Sequence, residues 1–255
     1  MKSFFSGLCV AFSLYSKIPV PRVEWTATSM RYAMGFLPLI GVIVGLCELF
    51  WLRIAQSLGV SALLYAVLAV AIPVLLTGGI HLDGFADTCD ALASWSDREK
   101  RLEILKDPRL GAFGAMDLAV LLLVQAGLYA QFYVNPKLAF LLPLLFPLAR
   151  CFGGLTIVSV PCAKTSGLAH TFSQGSQRRA VGVVLGIEAA ICLFFMVDIT
   201  LCLPLVLLPV LGMLYLLFRR FCQTQFGGVT GDLAGFSITL GETLGVALCA
   251  AAALL

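Results

Sequence analysis

The feature that most constrains this chain is a series of apolar runs, each long enough to cross a lipid bilayer. They cover Met34–Leu52, Val60–Gly79, Ala112–Phe132, Leu138–Val160, Ala180–Val197, Leu201–Phe218 and Leu233–Leu255. A helical span needs roughly 20 apolar residues, and each run meets or approaches that length. Lipid gives the backbone no hydrogen-bond partner, so an open chain crosses it only as helix. Composition points the same way: 60% of the residues are hydrophobic and 12% charged, against about 25% charged in soluble domains. The expected fold is all-α, a polytopic transmembrane bundle of about seven spans, forming a single integral membrane domain over 1–255.

Phe4–Tyr15 is apolar but too short to span comfortably, so an interfacial or re-entrant helix is expected there. It is not expected to be a cleaved leader, because Ile18-Pro19-Val20-Pro21 follows directly and a small-residue cleavage site is missing. The nine cysteines show no Cys-x-x-Cys spacing and mostly sit in apolar runs, where they read as small buried hydrophobes. Gly41/Gly45, Gly182/Gly186 and Gly241/Gly245 are small-xxx-small pairs able to bring helices close.

Cationic residues give the expected orientation. Fourteen Lys and Arg, from Lys2 to Arg220, fall on one side of the seven runs; only Arg53 and Lys137 fall on the other, and Arg150 lies within a run. Positive residues stay in the cytoplasm, which puts the N-terminus and the three long connections there.

The acids concentrate the chemistry. Of 14 Asp and Glu, seven lie between Asp83 and Asp107. In Gly78-Gly79-Ile80-His81-Leu82-Asp83-Gly84-Phe85-Ala86-Asp87-Thr88-Cys89-Asp90 a helix would set Asp83, Asp87 and Asp90 on one face, at i, i+4 and i+7. Three stacked anions repel unless something positive neutralises them, and Mg²⁺ suits oxygen ligands. Asp97, Glu99 and Glu103 alternate with Arg98, Lys100 and Arg101 and read as an exposed face with weak local pairs. His81 is placed to serve as a base or as a donor to phosphate; His170 has a weaker claim. In Lys106-Asp107-Pro108-Arg109-Leu110-Gly111, Lys106 and Arg109 fit phosphate binding or, equally, helix anchoring. Gly227-Gly228-Val229-Thr230-Gly231-Asp232 is a Gly-rich turn that delivers Asp232 to the mouth of the last run, with Gly228 and Gly231 as backbone partners for phosphate. Glu48, Asp117, Arg150, Glu188 and Glu242 fall inside runs, where charge suggests function. Arg150 is expected to pair with an acid or reach substrate phosphate, and Asp117 and Glu242 to lie near the cytoplasmic ends.

Together these residues resemble the cobalamin synthase family, the adenosylcobinamide-GDP ribazoletransferases. The His81-Leu82-Asp83-Gly84 block is the specific part. Lys106–Gly111 follows at the family's spacing and Gly228-Val229-Thr230-Gly231-Asp232 closes the pattern, with weaker echoes at Ile18–Pro21, Phe36–Gly41 and Gly167-Leu168. The chain departs from the family at Lys164, Ser166 and Thr239, where Arg, an acid and Glu are usual. The resemblance implies transfer of the adenosylcobinamide phosphate group from adenosylcobinamide-GDP to α-ribazole or its 5′-phosphate, releasing GMP, with Mg²⁺. In that chemistry Asp83, Asp87 and Asp90, joined by Asp232, would hold the metal. His81, Asp83 or Asp87 would take the attacking hydroxyl's proton, and Lys106, Arg109, Arg150, Gly228 and Gly231 would steady phosphates. Its partners would be those substrates and membrane lipid, not nucleic acid; a homo-oligomer stays open. Rival readings are an enzyme like the CDP-alcohol phosphotransferases or prenyltransferases and, in another class, a transporter. A transporter would concentrate charge at the bilayer midplane, not at one edge.

Overall fold

The computed structural model describes residues 2–163, 171–172 and 178–252, without the side chains of Lys2, Ala27 and Arg31. Lys164, Ser166, Gly167, Leu168 and His170 lie outside the described residues. Eleven helices account for most of the described chain: α1 (Lys2–Tyr15), α2 (Ala27–Ala33), α3 (Leu37–Ser57), α4 (Ala62–Thr77), α5 (Ile80–Ala93), α6 (Arg98–Ile104), α7 (Ala112–Val134), α8 (Leu142–Ser159), α9 (Arg178–Ile199), α10 (Cys202–Phe221) and α11 (Gly231–Ala252). Among the described residues, six segments are long and apolar enough to cross a membrane, those built on α3, α7, α8, α9, α10 and α11. The remaining run, Val60–Gly79, is realised as α4 bent by 98° into α5, which makes the seven the sequence predicts. At about 24 Å, α4 is short for a 30 Å hydrocarbon core, and α5 turns aside from its axis.

Two helices form the centre. α8 buries Leu145, Phe146, Ala149, Arg150 and Phe152, and α11 buries Leu233, Ile238, Val246 and Cys249. α3 packs on α8 through Gly41 and Gly45, where a Cβ would run into the backbone at Phe146–Pro147 and Leu142–Pro143. Gly245 of α11 similarly meets Leu145. The third expected pair differs: Gly182 makes only an ordinary contact with Val158, and Gly186 meets nothing. α7, α9 and α10 lie outside and leave Val120, Leu123, Phe194, Leu205 and Leu216 on the surface, as helices facing lipid do. α1 stays too short to span and packs on α2.

The connections at one end of the bundle converge. Lys17 donates its backbone N–H to Leu76 (2.7 Å), at the end of α4. The segment after α8 pairs with the segment before α11 through a Cys162–Val229 bridge, with Val229 N to Pro161 O at 2.8 Å. Gly228 permits this approach, since a side chain there would strike the backbone at Pro161–Ala163. α6 docks on a π-helical turn, Cys222–Phe226. Arg98 reaches the Gln223 carbonyl and Arg101 the Gln225 side chain. Asp97 caps α6 on Lys100 N, and only Lys100–Glu103 forms the expected exposed pair.

Candidate active site

The site starts from a bend. Gly78 (φ 73°) and Gly79 (φ 79°) are both left-handed, a conformation open to glycine without steric penalty. Gly78 ends α4 and Gly79 begins α5, so the chain turns within two residues. The Lys17 side chain lies over Gly78. α5 then runs as the helix the register requires, placing Asp83, Asp87 and Asp90 along one side. Its other side is apolar: Phe85 stacks on Phe236 of α11 with ring centroids 5.3 Å apart, and Phe236 continues the stack to Phe218 and Phe221 of α10. Gly84 sits against the backbone of Asp232, which any side chain would displace, and Gly235 faces the backbone of His81. Two glycines thus bring α11's first turn, with Asp232, onto α5. Thr230 caps α11 by accepting from Leu233 N.

Burial and the charges of Asp83, Asp232 and Asp90 push the Asp87 carboxyl up to about 6. All four acids are therefore electrostatic neighbours. They do not close a coordination shell: among the described residues, no group of three or more His, Cys, Asp or Glu side chains is drawn together to hold one ion. Asp90 has a distinct employment. Its two oxygens accept from Gly111 N (2.7 Å) and Gly114 N (2.8 Å), holding the N-terminus of α7. Gly111 and Gly114 have no room for a Cβ beside that carboxylate. The sequence reading of Asp90 as a metal ligand missed this role because it is a contact across 21 and 24 residues.

Other expected residues divide. His81 is buried with Nε2 unpartnered, and burial with nearby Arg150 holds its imidazole well below the usual range, hence neutral. Lys106 is exposed. Arg109 is exposed too, and forks onto Asp107 at 2.9 and 2.8 Å. Gly231, at the start of α11, faces open space. Gly228, expected to offer its backbone to phosphate, donates its N–H to Cys222 O (3.0 Å). Arg150 stands apart from these residues. It lies midway along α8, fully buried, bonded to Glu242 and to the Phe146 carbonyl (2.9 Å). Of the two roles left open by the sequence it takes the ion pair. Glu242 lies mid-helix in α11, not near its end. The pair lines a cavity of ≈ 30 Å³ shared with Thr77, His81, Gln125 and Thr239.

A larger cavity, ≈ 190 Å³, opens where α1, α3, α5, α8 and α11 end beside one another. Asp83, Gly231 and Asp232 lie along it, with His81. Tyr15, which the sequence reading did not single out, contributes a wall. Neither it nor Lys17 carries a motif signal; each is brought in by the packing of the N-terminal segment.

Fold and site together define a polytopic helical membrane protein with an acidic, glycine-framed site at one end of its bundle. The Cobalamin-5-phosphate synthase family model matches residues 7–251. The chain belongs to that family. It is 36% identical over 241 residues to a protein of Lachnoclostridium phytofermentans, covering 94% of this chain and 92% of the relative. It is 33% identical over 252 residues to one of Clostridium perfringens (97% and 98% covered) and 31% over 254 residues to one of Geobacillus kaustophilus (96% and 95%). All three are named adenosylcobinamide-GDP ribazoletransferase. No solved structure matches the chain.

Proposed function

We propose that this chain transfers the adenosylcobinamide phosphate group from adenosylcobinamide-GDP to α-ribazole, or its 5′-phosphate, releasing GMP. The observation that carries the reading is the meeting of α5 and α11 through Gly84 and Gly235, which sets Asp83 and Asp232 on one cavity with Asp87 beside them. The ribose hydroxyl attacks the phosphorus bonded to cobinamide, and the bond to the GMP phosphate breaks. Asp83, on the cavity, is placed to take the hydroxyl proton. His81 below it, buried and neutral, orients the acceptor. Lys106 and Gly231 are available to the departing phosphate, and Arg109 once it leaves Asp107.

The donor set fits Mg²⁺. Burial and the neighbouring carboxylates raise Asp87, and such clustered acids call for a cation; Mg²⁺ takes only one or two carboxylates, completing its shell with waters and phosphate oxygens. Asp87 and Asp232 would hold it, leaving Asp83 to accept the proton. When bound, it supplies neutralisation of charge developing on the phosphates. The protein would sit in the bacterial cytoplasmic membrane with this end facing the cytoplasm, as the fourteen-to-two cation asymmetry supports, and nucleotide substrates would reach it there.

The test is GMP release by purified protein given adenosylcobinamide-GDP, α-ribazole and Mg²⁺. Turnover that chelation abolishes and Mg²⁺ restores is expected. Failure to release GMP beside an active relative would overturn the reading.

A further inference from the structure

We propose that the ≈ 190 Å³ cavity seats the aromatic base of the nucleoside acceptor, and that Gly153, Ile157 and Ile238 set which base is accepted. The inference rests on the transferase reading above. Pockets that enclose a whole drug-sized ligand run to roughly 300–1,000 Å³, so this one takes a fragment: a bicyclic ring, not a corrin macrocycle. Its lining is segregated. Asp83 and Gly231 are exposed and Asp232 is half-buried, at the acidic rim. Leu37, Ile157, Phe172 and Ile238 are all under a tenth exposed and form an apolar interior. A ring held among them directs the attached ribose toward the rim, where the hydroxyl must lose its proton to a carboxylate. The guanine of the other substrate has several hydrogen-bonding edges, and away from the rim, among the described residues, only the His81 and Tyr15 side chains offer polar atoms to them. A benzimidazole presents carbon edges and fits the apolar interior. Tyr15 adds a ring to the wall.

Gly153 controls the size of the seat. A Cβ there would press on Ile238 and come 3.3 Å from the Ala234 carbonyl, so a larger residue drives Ile238 into the cavity. None of the clustered acids is touched by that change.

Steady-state GMP release should distinguish the seat from a merely structural void. Gly153→Val is expected to raise KM for α-ribazole at least about tenfold while KM for adenosylcobinamide-GDP stays within about twofold, since a lost methylene-sized space in an apolar pocket is worth 10–200-fold. Ile238→Gln is expected to shift the kcat/KM ratio toward the adenine α-ribonucleoside by about tenfold. Equal effects on both substrates, or an effect confined to adenosylcobinamide-GDP, would overturn the assignment. Equilibrium dialysis of α-ribazole keeps the test independent of turnover and of variant yield. Wild-type protein that binds α-ribazole, with Gly153→Ala at least several-fold weaker, supports the seat even if GMP is never released, in which case the reaction assignment alone fails. Absent or equal binding sinks the seat.

Discussion

At the scale of single residues, four carboxylates of similar appearance do different work. Asp87 is crowded by Asp83, Asp90 and Asp232, so its charge opposes folding and serves the site. Asp87→Asn should relieve that repulsion, leaving the melting temperature unchanged or raised, while turnover falls by about 10²-fold or more. Asp90 is the reverse case. Its carboxylate accepts from two backbone amides, and Asp90→Ala should destabilise the protein by about 2–3 kcal/mol as well as lose activity. Thermal unfolding in detergent alongside GMP release separates the two; equal loss of stability in both variants would refute the division. Sequence register put these acids on one helix face correctly. It had no access to the amides of Gly111 and Gly114, which arrive only when α7 packs against α5.

Elements meet here through absent side chains and one buried pair. Gly41 and Gly45 let α3 lie directly on the α8 backbone, whereas Gly186 faces open space. Gly45→Leu should therefore destabilise by about 1–3 kcal/mol or more, and Gly186→Leu by less than about 0.5 kcal/mol; comparable losses would contradict the packing. The same spacing in sequence thus has opposite meanings, because spacing does not say which face of a helix meets a neighbour. α8 and α11 are also joined by Arg150 and Glu242. Arg150→Met leaves Glu242 buried without its cation and should cost about 3–5 kcal/mol, most of it recovered by the Arg150→Met/Glu242→Leu double variant. A double variant no more stable than the single would mean that the pair holds more than its own charge.

For the whole molecule, the decisive property is that the connections at one end converge: Lys17 on α4, 161–163 on 228–229, and α6 on the π-helical turn. The opposite end, with Gly59 and Lys137, carries little charge. In a cysteine-free background, single cysteines at Gly59 and Lys106 should react with an impermeant maleimide from opposite sides of the membrane, Lys106 from the cytoplasm. Labelling of both from one side would break the seven-span topology.

The sequence by itself determined the class of fold, the order of spans, the helical register of Asp83, Asp87 and Asp90, and the family. These follow from local composition and periodicity, which act over a few residues and are written in the chain directly. Tertiary structure alone decided that Asp90 holds α7, that Gly228 admits the 161–163 segment, and that Arg150 pairs with Glu242. It also decided that Tyr15 and Lys17 reach the acidic end, and that five helix ends enclose an apolar cavity beneath it. Each depends on which helix faces which across tens of residues. That choice is made by packing of apolar surfaces and the close approach of glycines, which a linear pattern does not encode.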